Sequence, residues 1–98
     1  MLVLITGSWR QHSSRVVADC IAALDLIGAK PTRICTGGWV GADSVVAKWA
    51  VKNDVPMVDG YDIAECDAIV WINCGKNTQY EQKAMDQLQA ELRPFFVW

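Results

Sequence analysis

Histidine is nearly absent from this chain: His12 stands alone among 98 residues. One imidazole, with four cysteines (Cys20, Cys35, Cys66 and Cys74) that never fall in a CxxC spacing, assembles no zinc-ligand set. No metal and no cofactor are therefore expected. Positive charge is also scarce. Lys and Arg number 9 against 11 Asp and Glu, for a formal net charge of −2 and a pI near 5.1. Duplex nucleic acid calls for a basic footprint that this balance does not supply. No apolar run is long enough to span a bilayer, and the first residues lack the basic, apolar and small segments of a secretory signal. A reduced, cytoplasmic protein without a membrane partner is expected. Cys20 and Cys35 sit in apolar runs and read as buried free thiols. Linkers, low-complexity tracts and repeats are missing too, so residues 1–98 read as a single domain.

What is present is apolar. Hydrophobic residues make up 52% of the chain, enough for a core, although a domain of this size has a poor surface-to-volume ratio. Five tryptophans are many for this length, and Trp favours interfaces and pockets. "MLVLIT" reads as a buried strand ending at Gly7. Val16, Val17, Cys20, Ile21, Leu24 and Ile27 then recur at helical spacing, with Ser13 or Ser14 as cap and Gly28 as stop. "TRICT" is a second strand and "SVVAKWAVKN" a second helix. "VPMVD" is a third strand, and Gly60 opens a short acidic loop. "AIVWIN" is a fourth strand, "TQYEQKAMDQLQAEL" a third helix, and "FFVW" a fifth strand. Continuous apolar strands alternating with helices imply a parallel sheet covered on both faces. Right-handed crossovers make this a small Rossmann-like three-layer α/β sandwich with a five-stranded, mostly parallel sheet.

Ligands of such sheets bind outside the carboxyl ends of the strands. Three loops lie there and should converge: "TGSWRQHSS", "TGGWVGAD" and "NCGKNTQYE". In the second, Gly37, Gly38 and Gly41 permit close backbone approach and can turn N–H groups toward an anion at a helix start. Asp43 either caps that helix or accepts hydrogen bonds from a ribose or a neighbouring loop. The plainer reading is a glycine turn that packs strand against helix. In the first loop Ser8, Arg10 and Arg15 suit a phosphate, and the alternative is a solvated loop with a serine cap. His12 reads as a surface residue. In the third, Thr78 and Glu81 match a T-x-x-E capping box. The functional alternative has Glu81 facing the pocket, where it handles a sugar hydroxyl or an oxocarbenium-like centre.

Taken together, the loops resemble the SLOG superfamily over nearly the whole chain. That superfamily includes the LOG-like phosphoribohydrolases, the DprA-like DNA-processing proteins and small YspA-like proteins. "ITGSWRQHSS" is similar to its first-strand "GSR…S" segment. "TGGWVGADSVVAKWA" is similar to its glycine segment, with the "GxD…A" ending of the DprA and YspA-like members. "CDAIVWINCGKNTQYEQ" resembles the LOG stretch in which an "aDA" strand leads to "PGGxGTxxE". Asp67 and Ala68 open that strand, and Gly75, Thr78 and Glu81 match motif positions. Asn73, Cys74 and Asn77 replace its proline and two glycines. The LOG "RK" segment between the third and fourth strands has no counterpart in "DGYDIAEC".

The resemblance implies a nucleotide or nucleotide-derived ligand at the carboxyl edge. Gly7, Ser8, Trp9, Arg10, Gly37, Gly38, Gly41, Asp43, Gly75, Asn77, Thr78 and Glu81 would hold it, with glycines 37, 38, 41 and 75 and Thr78 on phosphate. A sensing, sequestering or delivery module comes first. A nucleoside 5′-monophosphate N-glycosidase comes second, with Glu81 supporting the ribosyl cation and Arg10 the phosphate as catalytic candidates. The absent arginine segment ranks binding ahead of cleavage. Single-stranded DNA binding in the DprA manner is third, and the acidic pI counts against it. Size, Trp content and family point to a homodimer. Tyr80, Met85 and Leu88 offer either a dimer face or packing onto the sheet.

Overall fold

The computed structural model describes residues 1–60 and 62–98. It is an α/β structure with three helices and a four-stranded parallel sheet. The strands are β1 (Leu2–Gly7), β2 (Arg33–Cys35), β3 (Ala68–Ile72) and β4 (Phe95–Val97), in the order β2-β1-β3-β4. The helices are α1 (Ser14–Leu26), α2 (Ala42–Lys52) and α3 (Gln79–Gln89). Among the described residues no helix is long and apolar enough to cross a membrane.

The two central strands are the two longest apolar runs. β1 and β3 pair from Val3 with Ala68 to Gly7 with Ile72. Successive side chains in a strand point to opposite faces, so each strand feeds two apolar clusters. Val3, Ile5, Val70 and Ile72 meet Val17, Cys20, Ile21 and Leu24 of α1 and Val46 and Ala50 of α2. Leu2, Leu4 and Ile69 meet Cys35 and Cys66 in the other cluster, with Ile63, Leu88 and Phe95 packed against it. Helix α1 starts where Ser13 accepts from the Val16 N–H. It ends with Gly28 at φ 76° and the Ala29 N–H returning to the Leu24 carbonyl, the six-to-one bond of a Schellman stop.

The third strand expected over 55–59 is corrected to a single bridge between Ile34 and Met57, which leaves four strands rather than five. Ile34 donates to the Pro56 carbonyl and accepts from Val58, each at 2.9 Å. Pro56 has no N–H to extend the ladder, and Asp54 at φ 55° and Gly60 at φ 64° turn the chain on either side. Of the acidic loop expected from Gly60, Tyr61 lies outside the described residues. Asp62 caps a single 3-10 turn, Ile63–Glu65.

All four thiols are free. Burial pushes Cys20 up to about 11 and, with the Cys66 thiol 3.7 Å away, Cys35 up to about 12. These buried thiols remain protonated at neutral pH and behave as small apolar side chains.

Candidate functional site

The loops after β1, β2 and β3 meet, and named bonds join them. The Ser8 carbonyl accepts from Ala42 at 3.0 Å, which ties the first loop to the start of α2. Gly41, at φ 75°, makes this approach possible: a Cβ there would lie 2.2 Å from the Trp9 carbonyl oxygen. Gln11 donates through Nε2 to the Asn73 carbonyl at 2.9 Å, which ties the first loop to the third. Arg10 Nη2 donates to the Lys76 carbonyl and to Glu81 Oε1, both at 2.8 Å.

The glycine turn is filled from within. Asp43, on the first turn of α2, is 3% exposed. Its Oδ1 accepts from the Gly37 N–H at 3.0 Å and its Oδ2 from the Trp39 N–H at 3.3 Å. The Gly38 N–H goes to the Thr36 hydroxyl at 3.3 Å. Of the N–H groups expected to face an anion, those of Gly37 and Gly38 are therefore engaged, and a carboxylate of the chain itself takes the bond assigned to phosphate at Gly37. Neither the cap nor the neighbouring-loop alternative for Asp43 is formed among the described residues: its partners belong to its own turn. Asp43→Ala leaves two N–H groups without their acceptor and is expected to cost about 2 kcal/mol. Asp43→Asn keeps one acceptor and should recover part of that in urea denaturation. Equal losses would show that the carboxylate does not hold the turn.

Glu81 is the one buried residue of α3. It completes the expected capping box: Thr78 Oγ1 accepts from the Glu81 N–H at 3.2 Å, and Glu81 Oε1 accepts from the Thr78 N–H at 2.9 Å. Burial acts to push this carboxyl up. Polar contact with Ser8, the Thr78 backbone and Arg10 outweighs it and holds the pKa at about 2. Glu81 is therefore an anion throughout the neutral range. Its Oε1 is shared by two donors, while Oε2 is buried with no partner of hydrogen-bond geometry among the described residues.

Both oxygens matter because Glu81 faces a cleft of about 880 Å³ at the carboxyl edge of the sheet. α3 closes one side through Tyr80, Ala84 and Leu88, and the sheet closes the other through Thr6, Gly7 and Trp71. Trp9, Trp39, Val40 and Asp43 complete the wall from the first two loops. Of the residues expected to hold a ligand, Gly7, Trp9, Gly37, Asp43 and Glu81 line this cleft. Ser8, Arg10, Gly38, Gly41, Gly75, Asn77 and Thr78 do not. Ser8 is fully buried and accepts from the Arg10 N–H, and Asn77 bonds Gln82. Gly7 is needed for packing, since a Cβ there would lie 2.2 Å from the Ile72 carbonyl oxygen.

Thr6 and Trp71 line the cleft without being among the residues expected to hold a ligand, and Gln11 is not singled out by the sequence at all. The first two carry a legible signal: they continue the alternation of Leu4 and Ile69 onto the same sheet face. Gln11, 8% exposed, carries none. Tyr80 is exposed, whereas Leu88 packs against the second apolar cluster. The expected face of α3 is thus divided between solvent and sheet.

Comparison of the chain with protein-family models, curated proteins and solved structures finds no match. Fold and site by themselves define an α/β protein with a parallel sheet and an aromatic, carboxylate-bearing cleft at the sheet's carboxyl edge.

Proposed function

We propose that this chain is a small Rossmann-like domain of SLOG type that binds a nucleotide or nucleotide-derived small molecule in the cleft. One observation carries the reading: three tryptophans, Trp9, Trp39 and Trp71, line a cleft that also holds the ionised Glu81, whose Oε2 has no partner of hydrogen-bond geometry among the described residues. Aromatic faces stack on bases, and a buried acceptor orients a donor on the ligand. The placement at strand ends is where such sheets hold ligands. Trp39 and Tyr80, exposed at the cleft, support the accompanying proposal of a homodimer. Native mass spectrometry of protein purified from cells tests the binding reading. The expected result is a co-purified mass with the absorbance of a nucleobase, and consistently empty protein overturns it.

A second reading, N-glycosidase activity, is favoured by one feature. An ionised carboxylate with an oxygen unpartnered among the described residues, in an apolar cleft, can stabilise a ribosyl cation. Release of free base from the wild type, lost in Glu81→Gln, would put the enzyme ahead of the pure binder.

A further inference from the structure

The charged residues that line the cleft all have one sign. Asp43, Glu81 and Glu91 line it, and no Lys, Arg or His does among the described lining residues. Several donors that an anion would need are engaged elsewhere. Arg10 is held by Glu81 and the Lys76 carbonyl. The Gly37 and Trp39 N–H groups are held by Asp43, and the Thr78 N–H by Glu81. What the cleft offers instead is an acceptor. Glu81 is 6% exposed, and besides the polar contact of its carboxylate with Ser8 its Oε2 has no partner of hydrogen-bond geometry among the described residues. A buried carboxylate oxygen of this kind is satisfied by an N–H or O–H donor brought in by the ligand. Trp9, Trp39 and Tyr80, all exposed, line the same cleft, with the buried Trp71 behind them.

We infer that the cleft takes a nucleobase or nucleoside without phosphate, stacked on the exposed Trp9 and Trp39 and donating a hydrogen bond to Glu81 Oε2. This inference rests on the nucleotide-derived reading above and narrows it. A planar ring with amino or ring N–H donors meets both features of the wall. A 5′-phosphate brings up to two negative charges to carboxylates that no free cation in the lining offsets, and repulsion in an apolar cleft is poorly screened.

The test titrates the whole chain with adenosine, guanosine, cytidine and uridine, and separately with their 5′-monophosphates, at low salt. Tryptophan fluorescence and calorimetry give the affinities. At least one nucleoside should bind and quench the tryptophans, and its monophosphate should bind about tenfold more weakly, with the gap narrowing as salt rises. Equal or tighter binding of the monophosphate, as a phosphate reaching Lys76 and the Gly75 loop would produce, overturns this inference alone. No binding by either set overturns the inference together with the reading beneath it.

Trp39→Ala provides a variant that leaves the core untouched, because Trp39 is 73% exposed. Nucleoside affinity should fall roughly tenfold through lost stacking. An unchanged affinity in Trp39→Ala overturns the stacked arrangement.

Discussion

Gly41→Ala is expected to remove about 4 kcal/mol of folding stability, through steric overlap plus a strained backbone. The overlap is with backbone: the added carbon would sit 2.2 Å from the Trp9 carbonyl oxygen and 2.3 Å from its carbon. Neither partner can withdraw, because Ala42 next door is bonded to the Ser8 carbonyl. A domain of this size has about 5–15 kcal/mol in total, so the variant should be folded only marginally. Gly38 is the control. It has nearly the same φ, 74°, but nothing lies within 4 Å of its added carbon. Gly38→Ala should therefore cost about 1 kcal/mol, the left-handed strain alone. Urea denaturation of both variants separates the two effects. Equal losses would mean that close approach to Trp9 is not what requires glycine at position 41.

Glu81→Gln should flatten the acid limb of the stability profile. The folded-state pKa of about 2 lies below the ordinary value of 4.5, so the unfolded chain takes up this proton first as pH falls. The stabilisation is complete above the unfolded value and is lost as pH falls toward the folded one. The full shift corresponds to about 3 kcal/mol, and solvent screening of the Arg10 partner reduces this to about 2 kcal/mol. Arg10 is 41% exposed, and for that reason the lower figure applies. Denaturant midpoints taken from neutral to strongly acid pH should fall steeply for the wild type in this window. They should fall less for the variant, which begins about 2 kcal/mol lower at neutral pH. Parallel curves would show that Glu81 titrates alike in folded and unfolded chains.

Helices were legible because their signals are local. Ser13, Gly28 and the Thr78–Glu81 pair all act within a few residues of themselves, and each stands where its spacing placed it. The central strands were legible as apolar runs. The segment 55–59 was not, because its apolar residues look like a strand while the absent Pro56 donor and the flanking turns limit it to one bridge. Convergence of the three loops followed from topology. The partner of each polar group did not. Whether Asp43 faces solvent, ligand or its own turn depends on where Gly37 and Trp39 point their N–H groups, and no periodicity encodes that. The tryptophans gave the same difficulty: Trp9, Trp39 and Trp71 all line one cleft, a property of assembled geometry.

The position of β1 governs the order in which this protein can become complete. β1 precedes the other strands in the chain, yet it lies inside the sheet, with β2 on one edge and β3 on the other. The Leu2 N–H is held by the Asp67 carboxylate at 2.7 Å, across 65 residues. During synthesis β1 can recruit β2 early, but its other edge stays open until β3 has emerged. Over that interval the nascent chain carries a six-residue apolar strand with unpaired backbone, a template for pairing with another copy. Helices α1 and α2 are made in that interval, and both pack on β1 side chains, so they can shelter one face while the edge waits.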